Sequence, residues 1–297
     1  MVSVYRSFTM RVAALQYDIS NDPKQNLAFV LQQLELAADE GVELVLMPEM
    51  WASSFPSTKE GLAERVAADR RCVESLRDKS ARLGICVGGS ALFADGPQVL
   101  NRLEFFQAGE SIFVYDKVHL FTPTAEHEIF SPGTQAPPVV AVKGVPVEGA
   151  TSQDLHLSGG VCYDLRFPEL FRVPFRGGVE LLCVPAQWPA PRANHWVALS
   201  IARAVENQCF VLAANRTGVA FIGRRQARLE FPGNSLIVSP YGDILAQGSG
   251  QDGLVSADLD LDLARQFRIR VPVLKDERPD LYREWLEQPS PNGRTDD

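Results

Sequence analysis

Histidine is scarce in this chain, with four among 297 residues, and the five cysteines include no CxxC pair. Zinc sites and disulfide frameworks need closely spaced ligands or paired cysteines. Neither follows from the scattered Cys72, Cys86, Cys162, Cys183 and Cys209. No apolar run approaches the roughly 20 residues of a membrane span, and Met1 to Met10 lacks the hydrophobic stretch of a secretory signal. Positive charge is also in deficit. The 29 Lys and Arg against 37 Asp and Glu give a formal charge of -8, the wrong balance for tracking phosphates. No glycine-rich phosphate loop opens a helix after a strand. These absences predict a cytoplasmic, reduced protein with no metal and no organic cofactor. Its expected partners are small molecules, with no nucleic acid and no membrane.

What is present is an ordinary globular composition, 45% hydrophobic and 22% charged, enough to bury a large core unaided. Arg11 to Gln16 reads as a buried strand. Asp22-Pro23-Lys24-Gln25 then offers a helix start, with Asp as N-cap and Pro at the first position. Leu27, Val30, Leu31, Leu34 and Ala38 recur at helical spacing, and Gly41 supplies the stop. Leu44 to Met47 is a further strand that exits through Pro48 into Glu49. A second helix is expected within Asp69 to Leu83, then strands at Ile85 to Gly88, Leu103 to Phe106 and Ile112 to Tyr115. Further along, Leu155 to Val161 reads as a strand stopping at Cys162. Leu181 to Val184 and Phe210 to Ala214 flank a helix from about Ala193 to Glu206.

The halves echo each other. Gly41-Val42-Glu43-Leu44-Val45-Leu46-Met47-Pro48-Glu49 aligns with Gly178-Val179-Glu180-Leu181-Leu182-Cys183-Val184-Pro185-Ala186. Two buried strands can match by chance. The alternative is an internal repeat of two βα-rich halves packed together with helices outside. Residues 1–9 read as an N-terminal extension, 10–270 as one domain, and 271–297 as an extended C-terminal tail. Gly88-Gly89 and Gly159-Gly160 read as turn or close-packing glycines.

Cys162 lies where an apolar strand meets a turn, in Gly160-Val161-Cys162-Tyr163-Asp164-Leu165-Arg166-Phe167-Pro168-Glu169. Unpaired N–H groups at such a start can lower a thiol's pKa and hold an oxyanion. The residues alone equally allow a packed core cysteine, the reading that suits Cys72, Cys86, Cys183 and Cys209. Histidine is the usual base for a thiol, yet none of the four sits in a convincing context. His119 and His195 remain open as partners. Glu49, directly behind a buried strand, can take a thiol proton if it is partly out of water, and is otherwise a loop acid. Lys117 is a surface lysine by default, but its aromatic and aliphatic neighbours allow it to be held inside.

Pro48-Glu49, Lys117-Val118-His119-Leu120-Phe121 and the Cys162 block resemble the three signature regions of the nitrilase, or carbon-nitrogen hydrolase, superfamily, in order and at suitable spacing. The resemblance runs from about Arg11 to Ser239, taking in Ala202 to Gln208 and Ala214-Asn215-Arg216. It implies an α/β fold, a four-layer α-β-β-α sandwich with a pseudo-two-fold repeat. It also implies a Glu-Lys-Cys catalytic set, with Glu49 as base, Lys117 as oxyanion stabiliser and Cys162 as nucleophile. A second glutamate, seven residues before Gly133, corresponds to Glu126, with Glu128 the alternative. The Tyr163 backbone N–H would complete the oxyanion hole. Within the superfamily the sequence is most similar to the omega-amidase branch, which hydrolyses 2-oxoglutaramate and 2-oxosuccinamate through a thioester and releases ammonia. N-carbamoyl amidohydrolase is the runner-up, ahead of a true nitrilase or a non-catalytic scaffold. Arg192, Arg224 and Arg225 are candidate cations for a substrate carboxylate, and Phe121, Trp188 and Phe221 could shape the pocket. The resemblance further implies a homodimer or a higher homo-oligomer.

Overall fold

Strand and helix alternate twice along the chain. In the computed structural model, which describes residues 9–56, 58–144, 154–223 and 226–288, the first run begins with β1 (Thr9–Gln16), α1 (Pro23–Asp39) and β2 (Leu44–Leu46). α2 (Leu62–Leu83), β3 (Cys86–Asp95), β4 (Gln98–Gln107) and β5 (Glu110–Asp116) follow. After β6 (Val140–Val142) comes the second run: β7 (Leu155–Gly159), α3 (Pro168–Arg176), β8 (Leu181–Ala186), α4 (Ala193–Asn207) and β9 (Phe210–Asn215). The antiparallel pair β10 (Thr217–Ile222) and β11 (Ala227–Pro232) precedes β12 (Leu236–Val238), β13 (Ile244–Gln247) and β14 (Gly253–Asp260). Helices α5 (Leu261–Arg270), α6 (Val273–Asp276) and α7 (Pro279–Glu287) finish the described chain.

Two six-stranded sheets result, ordered β14-β1-β2-β3-β4-β5 and β13-β12-β9-β8-β7-β6. Parallel strands β1, β2 and β3 lie at the heart of one, and β7, β8 and β9 at the heart of the other. Strands covered on both faces read as unbroken apolar runs, and their side chains still alternate in direction. Leu44 and Leu46 enter the core between the sheets with Leu181 and Cys183. Val45 and Met47 face the opposite way, toward Val30 and Leu34 of α1 and Leu76 of α2. Leu182 and Val184 do the same toward Phe171 of α3 and Trp196 of α4. This is the α-β-β-α sandwich. The Gly41 to Glu49 and Gly178 to Ala186 echo marks matching middle strands in the two sheets.

Local chemistry accounts for the element ends. The Asp22 side chain accepts from the Lys24 N–H at 2.9 Å to cap α1, and Gly41 takes the left-handed φ of +74° after it. α2 starts at Leu62 rather than Asp69, because its first turns carry apolar contacts only at Leu62 and Val66 and so show little periodicity. The segment expected as an extended tail contains the short helices α6 and α7 up to Glu287, with 289–297 outside the described residues. Of the expected extension Met1–Thr9, only Thr9 is described, and it pairs with Asp260. No helix among the described residues is long and apolar enough to cross a membrane.

Gly159 sits where β7 passes β8, and a Cβ there would run into the Cys183 carbonyl oxygen; one on Gly88 would run into the Phe105 ring. Backbone of a central strand cannot step aside as a side-chain tip can. Gly159→Ala should therefore destabilise the fold by at least about 1–3 kcal/mol. Urea unfolding checks this, and an unchanged midpoint would contradict the close packing.

Candidate active site

The strand ends of both sheets meet around one cavity of about 220 Å³ whose lining includes Glu49, Glu126, Cys162 and Trp188. β2 leads through Met47 and Pro48 to Glu49, which is fully buried; the next residue, Met50, has a left-handed φ of +51°. β5 leads directly into Lys117, whose backbone N–H donates to the Asn101 carbonyl at 2.9 Å. β7 runs into Cys162, which begins a five-residue 3-10 turn with φ of +47°. A non-glycine residue in that region stores about 1–3 kcal/mol of strain, tolerated where the surroundings over-determine it.

Lys117 is enclosed by carboxylates. Its Nζ donates to Glu49 Oε1 at 2.9 Å and to Glu126 Oε2 at 2.8 Å. Glu126 reaches it because the Lys117 carbonyl accepts from the Gly133 N–H at 2.8 Å, closing a loop with Glu126 on a 3-10 turn inside it. A Cβ on Gly133 would strike the Asp116 backbone, so the glycine is what permits the closure. Glu126 also accepts from the Phe121 N–H at 3.0 Å, whereas Glu128 is exposed. Burial opposes the Lys117 charge, but Glu126 and then Glu49 outweigh it and push the pKa well above the ordinary lysine value. Burial pushes Glu126 above the usual carboxylate range, against the pull of Lys117.

The donors to Glu49 can be counted. Oε1 receives Lys117 Nζ and Asn101 Nδ2, the latter at 2.8 Å, while Oε2 receives the Gln187 backbone N–H at 3.1 Å. A carboxylate has about four lone-pair positions, so the one left is on Oε2. Lys117 likewise retains one of its three N–H groups. The Tyr163 backbone N–H has no hydrogen-bond partner among the described residues.

The turn N–H groups at Cys162 are outweighed in their effect on the thiol pKa. Burial, followed by the Glu49 charge, pushes it well above the ordinary value, with Lys117 pulling the other way. A five-residue 3-10 turn has too little aligned backbone to outweigh that desolvation. The remaining thiols also titrate high because of burial, Cys72 at about 11 and Cys209 at about 12.

His119 does not serve Cys162. Its Nδ1 lies 2.8 Å from Asp164 Oδ1 and its ring stacks 3.7 Å from that of Phe167. Asp164, quoted in the sequence motif without a role, is a hub. It also accepts from the His119 N–H, the Tyr115 hydroxyl and the Val161 N–H, joining the Lys117 loop to the Cys162 turn. His195 faces Arg166 at 3.3 Å.

Phe121, Tyr163, Trp188 and Arg192 all line the cavity, as does Arg166, which the sequence reading passed over. Arg166 lies 4.9 Å above the Trp188 ring and Arg192 5.6 Å from the Phe121 ring; among the described residues neither has a carboxylate partner. Phe221 is 57% exposed and outside the cavity, where Ile222 and Leu229 stand instead. Arg224 and Arg225 lie outside the described residues. Asn101 and Gln187 were also missed. The only sign of Asn101 was a polar residue inside the apolar strand Val99-Leu100-Asn101-Arg102-Leu103.

The sequence profile of the carbon-nitrogen hydrolases matches residues 11–269. The chain belongs to that family. This carbon-nitrogen hydrolase is 35% identical over 279 residues to a 2-oxoglutaramate amidase of Bacillus subtilis, covering 91% of this chain and 98% of the relative. It is 31% identical to an omega-amidase of Escherichia coli strain K12, over 89% of this chain and 94% of the other. A Nesterenkonia amidase superposes with a TM-score of 0.78 at 28% identity, over 94% of this chain and 98% of the other; that structure shows covalent addition of the acetamide moiety of fluoroacetamide at its active site cysteine.

The charges around the thiol generate a prediction with a definite sign. Thiolate is the reactive form, and Glu49 raises the Cys162 pKa through both charge and hydrogen bonding. Glu49→Gln removes the charge, so alkylation of Cys162 by iodoacetamide should move to lower pH. Peptide mapping of labelled protein across a pH series reads this. A shift toward higher pH would mean that Glu49 acts on the thiol in the opposite sense.

Proposed function

We propose that this carbon-nitrogen hydrolase is an omega-amidase, releasing ammonia from a small amide that carries a carboxylate at its far end. The observation that carries the reading is one cavity lined by Cys162, by Glu49 and Glu126, which both bond Lys117, and by two guanidinium groups, Arg166 and Arg192, without carboxylate partners among the described residues. Arginine suits the recognition of a carboxylate by paired N–H donors, and aromatic rings beside it leave the fork free to point at the ligand. The names of the Bacillus and Escherichia coli relatives support the same substrate class.

In this mechanism the Cys162 thiol gives its proton to the open position on Glu49 Oε2 while sulfur attacks the amide carbon. The carbonyl oxygen becomes an oxyanion held by the third N–H of Lys117 and the Tyr163 backbone N–H. Glu49 then protonates the leaving nitrogen, the carbon–nitrogen bond breaks, and ammonia departs from a thioester. Glu49 next takes a proton from water, whose oxygen attacks the thioester. The acid leaves, and the proton returns to the Cys162 sulfur. Glu126 holds Lys117 in place throughout. A homodimer is the proposed assembly, supported by the exposed Val173 of α3 and Val205 of α4. Its five cysteines, all free, suit a cytoplasmic setting. One hydrolase domain, residues 10–270, between an extension at 1–9 and a tail at 271–297 is the proposed organisation.

Ammonia release from 2-oxoglutaramate, an N-carbamoyl amine, an aliphatic nitrile and an uncharged aliphatic amide tests the reading, with 2-oxoglutaramate expected to be turned over most efficiently. Cys162→Ala should abolish turnover, and Lys117→Ala should cost on the order of 100- to 1000-fold in kcat, as loss of an oxyanion donor does. Full activity of Cys162→Ala would refute covalent catalysis. Arg166→Gln and Arg192→Gln should together raise KM for 2-oxoglutaramate about tenfold or more, the worth of a charge-assisted hydrogen bond, and leave KM for the uncharged amide nearly unchanged. Equal effects on both substrates would assign the arginines to the scaffold.

A further inference from the structure

We propose that Arg216 is a positioning residue for Glu49, acting through Gln187; the inference rests on Glu49 being the base of the hydrolase reading. Arg216 follows β9 and is fully buried, an unusual place for a guanidinium. All five of its N–H groups are used. Nε donates to the Thr217 carbonyl at 3.1 Å, Nη1 to Ser54 Oγ at 3.2 Å and Gln187 Oε1 at 3.1 Å, and Nη2 to Asp18 Oδ1 at 2.6 Å and the Ile19 carbonyl at 3.0 Å. The fork therefore gathers the chain beyond β1, the loop beyond Glu49 and the end of β8, which come from both sheets.

Gln187 is the connection to Glu49. Its side-chain oxygen faces Arg216, which forces its Nε2 toward the Glu49 carbonyl, at 2.9 Å, and its backbone N–H lies on Glu49 Oε2. Both ends of the Gln187 amide are thus committed, and the residue cannot rotate without losing a buried bond. With Oε1 already holding Lys117 and Asn101, the single N–H on Oε2 leaves one lone pair there, and under the proposed mechanism that is where the thiol proton goes. A group that only stiffened the fold would not need to choose between the two oxygens. Lysine could carry the charge of Arg216 but could not span Gln187, Ser54 and the Asp18 segment together.

The test compares the parent enzyme with Gln187→Met, Arg216→Lys and the double variant, measuring kcat and KM on the best amide of the panel above, with thermal unfolding as a control. Gln187→Met keeps the backbone N–H and nearly the same volume, so it reports even if Arg216→Lys folds poorly. Each single change should lower kcat about 10- to 100-fold, as small misplacements of a catalytic group do, with KM within about threefold. The double variant should be no slower than the slower single within about twofold, because residues acting in one network are not additive. A folded Gln187→Met with parental kcat, an effect confined to KM, or a double variant whose loss equals the product of the singles would each overturn the inference. A parent inactive on every amide would overturn the hydrolase reading and this inference together, whereas an active parent with an unaffected Gln187→Met overturns this inference alone.

Discussion

An ammonium group shut away from water must be surrounded by acceptors, and Lys117 is met by two carboxylates, Glu49 and Glu126. Removing a partner from a buried charge is among the costliest single changes a protein can suffer, so this cluster constrains everything near it. The two acids reach it by different routes. Glu49 is 68 residues away in sequence and arrives beyond the end of β2 in the same sheet, whereas Glu126 is nine residues away and arrives by a loop that Gly133 allows to close. Burial, followed by the Glu49 charge, holds the Cys162 pKa well above the ordinary thiol value, with Lys117 pulling the other way. Under the proposed mechanism sulfur is therefore activated only as its proton leaves for Glu49, and the reactive anion is not exposed in the resting enzyme.

Two hydrogen-bond networks hold this cluster from either side. Asp164 fastens the Cys162 turn to the Lys117 loop by taking four hydrogen bonds from Val161, Tyr115 and His119. On the opposite side, Asn215 brackets Trp188 by accepting from its N–H at 2.7 Å and donating to its carbonyl at 3.0 Å, while Gln187 bonds Glu49. The internal repeat gives this a geometric basis. β2 and β8 are matching middle strands, so the acid behind one and the amide behind the other come face to face across the sandwich. Glu49, Lys117 and Gln187 are consequently assembled from strand exits, where backbone N–H groups and carbonyls escape the sheet ladder and side chains can be aimed.

Much of the fold was legible because its cause is local. Apolar runs of strand length, an Asp-Pro helix start and left-handed glycines are written residue by residue, and the echo of Gly41 to Glu49 in Gly178 to Ala186 marked the repeat. Less legible were segments where periodicity is weak, such as the first turns of α2 and the helices of the tail. Resemblance in three short motifs named Glu49, Lys117, Cys162 and Glu126 as a set, and the fold puts Glu49, Cys162 and Glu126 on the lining of one cavity, with Lys117 bonded to both acids.

By itself, then, the sequence determined the alternation of strands and helices, which depends on residue type and neighbours along the chain, and its resemblance to three family motifs pointed to the acid, lysine and thiol to watch. Only the tertiary structure decided the direction of the Cys162 pKa, the attachment of His119 to Asp164, the presence of Arg166 in the cavity and the placement of Asn101, Gln187 and Arg216 around Glu49. Those features depend on desolvation and on distances between residues far apart in sequence, and neither quantity exists until the two sheets have closed on each other.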